Sequence, residues 1–160
     1  VSQGWRFQEL IDTPESYDES YLFRKMIEPS GIMSDAFHVD LDELHQLRSE
    51  QENIVNGGFK TMTPIELFES NSRFHETLAK WSNNRFILQS IKRVNQLRRL
   101  VEYQQASTNR KPRQTQAHEH LAILDALSKN NVVRASTLLE AHLDGARKGK
   151  AMQSTNKKTK

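Results

Sequence analysis

The apolar residues of this chain recur at steps of three and four, and helix-starting signals cut that pattern into segments. No stretch sustains the period-two alternation, flanked by turn residues, that marks a strand. Thr13-Pro14 sets an N-cap hydroxyl before a proline at the first helical position. The helix it opens has apolar positions Tyr17, Tyr21, Phe23, Met26 and Ile27. Pro29 removes a backbone bond and should kink or end this helix, with resumption expected through Ile32, Met33, Ala36 and Phe37. Asp40, with Glu43 three residues on, starts a second helix carrying Leu41, Leu44, Leu47 and Ile54. It is expected to stop at Asn56-Gly57-Gly58. Thr63-Pro64-Ile65-Glu66 has the form of a capping box and opens a helix over about 64–82, broken by Asn83-Asn84.

A fourth helix is expected over 85–106, with Ile87, Ile91, Val94 and Val101 on one face, before a polar linker at 107–111. Pro112 starts a fifth, which runs to about Ser128, and Lys129-Asn130-Asn131 turns the chain into a sixth over about 132–149. Short loops favour antiparallel neighbours, so the expected fold is all-α, an antiparallel bundle of six to seven helices.

A length of 160 residues suits one domain. The absence of cysteine excludes disulfides and thiolate metal sites. No apolar run approaches the roughly 20 residues that cross a bilayer, and the N-terminus lacks the layout of a secretory signal; a cytoplasmic protein without membrane partners is the expectation. Six basic residues and one acid lie within 144–160, so the remainder is slightly acidic although the whole carries +3. Residues 13–150 are expected to form the folded domain, and 151–160 a basic, disordered tail.

Polar residues interrupt three of the apolar stripes. Asn71 and His75, one turn apart, fall on the stripe of Phe68 and Leu78. His120 extends the stripe of Ile123, Leu124 and Leu127, and His142 follows Leu138 and Leu139. His38, His45 and His118 fall on surface or loop positions. A histidine on an apolar face is more often a hydrogen-bonded core residue than a ligand. Three of them on separate helices also have the form of the metal sites that bundles build from facing helices, with Asn71 as a fourth, amide-oxygen ligand. Both alternatives stay open. Imidazole donors suit zinc or nickel first, with manganese a further candidate.

Arg24 and Glu28, also one turn apart, read first as a surface ion pair. Yet Arg24 shares a face with Tyr17, Tyr21 and Ile27, and an arginine at a core edge can grip a carboxylate with two prongs. Arg98 and Arg99 are further candidates.

Several of these pieces occur together in a known family. Arg24-Lys25-Met26-Ile27-Glu28-Pro29, Asn71-Ser72-Arg73-Phe74-His75, Asn84, the run from Glu119 to Leu127 and the run from Ala135 to His142 stand in its order and separation. Over about 14–145 the chain resembles the FCD effector-binding domain of GntR-type bacterial transcription regulators. The resemblance implies a dimerising helical bundle. It also implies a divalent metal held by an acidic residue and three histidines, with a small carboxylate effector docking beside it. The histidines fall on His75, His120 and His142; the acidic position falls on Asn71, a departure that removes a charge. Arg24 matches the arginine of the family's first helix.

In that family a winged helix-turn-helix precedes the bundle and binds DNA. Residues 1–12 then read as a remnant of the wing and its linker, in a chain expected to begin partway through a longer protein. The expected function is effector sensing and dimerisation for a transcription regulator, not catalysis. The competing reading is a metal-dependent enzyme with a three-histidine site. That reading needs a general base beside the metal, and Glu119, about 100° round the helix from His120, is expected to face away.

Overall fold

The Thr13 hydroxyl accepts the Ser16 amide N–H at 3.0 Å, and the Ser16 hydroxyl oxygen accepts the Thr13 N–H at 3.1 Å. This reciprocal cap opens α1 (Pro14–Ile32) in the computed structural model, which describes residues 11, 13–104 and 111–156. There follow α2 (Leu41–Asn53), a widened π turn (Ile54–Gly58), a single turn α3 (Phe59–Thr61), α4 (Pro64–Trp81), α5 (Arg85–Gln104), α6 (Lys111–Ser128) and α7 (Val132–Asn156). No strand occurs among the described residues. The expected wing remnant lies outside them except at Ile11, as does most of the 107–111 linker.

The expected box at Thr63 is present: its hydroxyl accepts the Glu66 N–H at 3.2 Å and the Glu66 carboxylate accepts the Thr63 N–H at 2.7 Å. The one expected from Asp40 is only half made. Asp40 accepts the Glu43 N–H at 3.0 Å, but the Glu43 carboxylate takes Lys80 Nζ at 2.6 Å and Trp81 Nε1 at 2.9 Å instead. A tertiary contact has outcompeted a local one. Pro29 sits inside the last turn of α1, which ends at Ile32 and does not resume through Phe37. The chain turns there so that Phe37 meets Trp81 edge-on at 6.4 Å and the His38 N–H reaches the Trp81 carbonyl at 2.9 Å.

Asn56-Gly57-Gly58 gives the π turn in place of a clean stop. Gly57 takes φ +132°, and a Cβ on Gly58 would stand 2.7 Å from the Asn53 carbonyl oxygen. Asn83 and Asn130, at φ 52° and 54°, make the tight turns expected after α4 and α6. At the other end α7 continues to Asn156, past the end expected near 149.

Antiparallel neighbours are recorded in the side-chain pairs. Phe68 meets Tyr103 edge-on while Glu76 accepts from Asn95, which sets α4 against α5. Lys25 pairs with Asp144 and Ser136 donates to the Pro29 carbonyl, which sets α1 against α7. Tyr17, Tyr21, Leu44, Phe74, Leu78, Ile123, Leu124, Leu139 and Leu143 share one core; Ile54, Phe59, Leu67 and Ala117 form a smaller one under the π turn. Two expected stripe residues stay outside: Met26 is 65% exposed and Leu41 64%. No helix of the described residues is long and apolar enough to cross a membrane.

Candidate metal centre

Helices α4, α6 and α7 each deliver one histidine to the same interior point. His75 and His120 are 1% exposed and His142 2%. Their ring centroids lie 5.3 Å (His75–His120), 5.2 Å (His75–His142) and 4.6 Å (His120–His142) apart. One nitrogen from each ring falls within 4.8 Å of those of the other two. Phe74, next to His75, stacks on the His120 ring at 3.8 Å and 11°, fixing its plane. His38, His45 and His118 are exposed, as expected.

The outer nitrogen of every ring faces an oxygen. His75 Nδ1 lies 2.6 Å from Glu28 Oε2, His142 Nδ1 2.6 Å from Glu119 Oε2, and His120 Nδ1 2.9 Å from Gln51 Oε1. Carboxylate and amide oxygens accept, so Nδ1 carries the ring proton in each neutral imidazole and Nε2 presents its lone pair inward. His120 Nε2 and His142 Nε2 stand 3.2 Å apart, and His75 Nε2 has no hydrogen-bond partner. Lone pairs converging at this distance repel one another unless a cation lies among them.

Burial pushes the His75 imidazole down to about 3, although Glu28 draws it the other way. Burial also holds His120 well below its ordinary value, reinforced by His142 and His75. Burial alone would raise Glu28; Arg24 and His75 outweigh it and hold the carboxyl down at about 2. A low proton affinity on an inward-facing imidazole suits a metal ion better than a proton, because metals bind the neutral ring.

Arg24 is not at the surface. Its Nε donates to Glu28 Oε1 at 2.6 Å with both side chains 1% exposed, so the pair is interior and Glu28 bridges Arg24 to His75. Arg24 Nη2 is buried without a partner. Arg98, also interior, donates through Nη2 to Tyr21 Oη at 2.8 Å, Tyr17 Oη at 3.0 Å and Glu102 Oε1 at 3.0 Å, while its Nε and Nη1 have no partner. Arg99 pairs with Glu69 on an exposed flank and takes no part.

Asn71 is half-buried and lines a small cleft with Gln51, Arg113 and His120. Glu119 faces away from the point where the Nε2 atoms meet, as its position round the helix from His120 implies, and it backs the site from outside by accepting from His142 Nδ1 on α7. Gln51 was not singled out in the sequence, where nothing distinguishes it from other helical glutamines; spacing could have flagged only Glu28 and Arg24. The two carboxylates nearest the rings, Glu28 and Glu119, are both engaged with Nδ1 atoms and neither faces the point where the Nε2 atoms meet.

The residues present fit a transition metal: three imidazole nitrogens turned inward, each held from behind by an oxygen acceptor, as metal-binding histidines characteristically are. A family model described as FCD domain matches residues 19–145. No curated protein matches the chain and no solved structure does.

Proposed function

The chain belongs to the FCD domain family, whose members are effector-sensing regulatory domains, and on that premise we propose that it senses a small carboxylic acid through a divalent metal held by His75, His120 and His142. The observation that carries this reading is the orientation of the three rings. Gln51, Glu28 and Glu119 turn every Nδ1 outward, leaving three lone pairs aimed at one buried point. Zinc or nickel suits three imidazoles best, with manganese as a further candidate. Asn71 supplies a neutral amide oxygen as fourth ligand.

A metal held by these residues would supply a Lewis-acidic anchor for a carboxylate. Arg24, one turn from Glu28 and with a free Nη2, grips that carboxylate from α1. Ligand, metal and arginine then tie α1, α4, α6 and α7 together. In a homodimer this bias on the bundle sets the spacing of winged helix-turn-helix DNA-binding domains attached to it. The engagement of Glu28 and Glu119 with histidines supports a sensor over a hydrolytic metalloenzyme, because neither carboxylate is placed to take a proton from a metal-bound water.

Elemental analysis of untagged protein, followed by a melting-temperature screen of organic acids with and without zinc, tests the reading. A ligand at 100 times its Kd stabilises by about 2.7 kcal/mol, a rise of roughly 5–11 °C for a chain of this size. No bound metal in wild type, or no acid-dependent shift in the zinc-loaded protein, refutes it.

A further inference from the structure

His75, His120 and His142 are 1%, 1% and 2% exposed, so an ion that ends among their Nε2 atoms has to pass through a part of the fold that opens. Two sides of the centre are firmly closed. Arg24 and Glu28 seal it towards α1, each side chain 1% exposed, and the Phe74 ring covers one face of His120 at 3.8 Å. The side towards the π turn is built differently. There the small cleft runs from half-buried Arg113 and Gln116 to buried His120, with Ile54 of the π turn and Leu67 of α4 in its walls. Glu102 takes Arg113 Nη2 at 2.8 Å, which holds that cation at the rim.

The wall on this side is separable from the rest. Ile54, Phe59, Leu67 and Ala117 form a small core of their own, apart from the large one shared by α1, α2, α4, α6 and α7. A unit with few buried apolar contacts can open while the remainder stays folded. Gly57 takes φ +132°, a region that glycine alone enters readily, and nothing lies within 4 Å of where its Cβ would stand, so the chain has room to pivot there. Gln114 Nε2 donates to the Val55 carbonyl at 3.0 Å and fastens the turn to α6. The segment also reaches the centre itself. Gln51, three residues before Ile54, accepts from His120 Nδ1 at 2.9 Å and donates to Ser70 Oγ at 3.2 Å. Widened turns of this kind recur at functional sites.

Resting on the reading of the three histidines as a metal centre, we propose that the π turn Ile54–Gly58 is the gate of that centre: it pivots at Gly57, with Gln114 as its latch, and admits the ion along the cleft to His120. A gate changes the rate of loading and of release together and leaves the free and loaded states as they are. That separates it from a ligand or a residue that orients one, whose loss changes affinity.

The test is stopped-flow loading of metal-free protein with zinc and removal of zinc by excess chelator, with Kd from competition titration. Gln114→Met keeps the length of the side chain and removes its donor. It is expected to speed loading and removal by about threefold or more, the weight of one hydrogen bond, with Kd unchanged within about twofold. Conversely, the chain has no cysteine, so Val55→Cys and Gln114→Cys can be joined by a short bifunctional thiol reagent. Joining is expected to slow loading about tenfold or more relative to the same variant left open. Lys25→Cys joined to Asp144→Cys replaces a pair that meets at 2.7 Å across α1 and α7, clamps the bundle away from the cleft, and should leave the rate unchanged. Melting curves of every variant confirm that it is folded. Loading of the joined Val55/Gln114 variant at its open rate overturns the proposal, as does equal slowing by the Lys25/Asp144 clamp, which means that the whole bundle opens. A Gln114→Met variant whose Kd moves as far as its rates also overturns it. If wild type takes up no zinc at all, the metal-centre reading itself falls; if zinc binds and only the rates disagree, that reading stands and the gate alone is refuted.

Discussion

Glu28 ties a buried arginine to a histidine of the centre, and replacing it separates stability from metal binding. Its two oxygens hold Arg24 Nε at 2.6 Å and His75 Nδ1 at 2.6 Å with 1% of the side chain exposed. Glu28→Leu leaves the Arg24 guanidinium buried without a counter-charge, a change that costs about 3–5 kcal/mol. At 2–4 °C per kcal/mol for a chain of this size, the metal-free protein should melt roughly 6–20 °C lower. Adding Arg24→Met removes the stranded cation, and an apolar pair of similar volume is near neutral in such settings. The double variant should therefore recover most of the lost stability. It should not recover metal affinity, because His75 still lacks its Nδ1 acceptor and second-layer losses of this kind weaken binding by about 10–100-fold. Circular-dichroism melts of chelator-treated protein, paired with competitive zinc titration, give both quantities. A single variant that melts within about 2 °C of wild type, or a double variant whose losses simply add, would refute the claim that the pair is coupled.

Other consequences of the same geometry are open to measurement. Asn71→Asp puts a carboxylate one helical turn before His75; if Asn71 ligates as proposed, zinc affinity should rise by about tenfold, because ligand charge tightens metal sites, and unchanged affinity in a competition titration removes Asn71 from the ligand set. Acid should destabilise the metal-free protein in two overlapping windows. His75 takes up its proton at about 6.5 when unfolded but near 3 when folded, so stability is lost as pH falls below about 6.5. Glu28, held at about 2 against about 4.5 unfolded, adds a further loss below about 4.5. Urea midpoints that stay flat from pH 7 to pH 4.5 would contradict the first window. Thr63→Ala removes one half of the α4 capping box and should cost about 1 kcal/mol, a melting decrease of roughly 2–4 °C, with zinc affinity unchanged.

Local grammar determined most of the fold. Thr13-Pro14 and Thr63-Pro64 start helices because a hydroxyl and a ring-locked φ satisfy the same termini wherever they occur. Asn83 and Asn130 turn the chain because asparagine tolerates the left-handed region. The three-and-four spacing also placed His75, His120 and His142 on buried faces, since a helix fixes the direction of every side chain from its sequence position.

Convergence of those three rings was a different matter. It depends on which helices pack together and at what height, and no spacing within one helix carries that information. The same limit explains the particular misses. Arg24 and Glu28 look like a surface pair by their separation, yet α1 is enclosed by α4, α5 and α7, so the pair became interior. Glu119 faces away from the point where the Nε2 atoms meet, but spacing within α6 could not show that His142 on the next helix would be its partner. Glu43 was spaced for a cap, but Lys80 and Trp81 offered it better partners. The sequence by itself determined the helices and which face of each is buried, because those follow from interactions within a few residues. The tertiary structure alone decided which buried polar atoms meet, because a hydrogen bond between helices exists only once both have been packed into place.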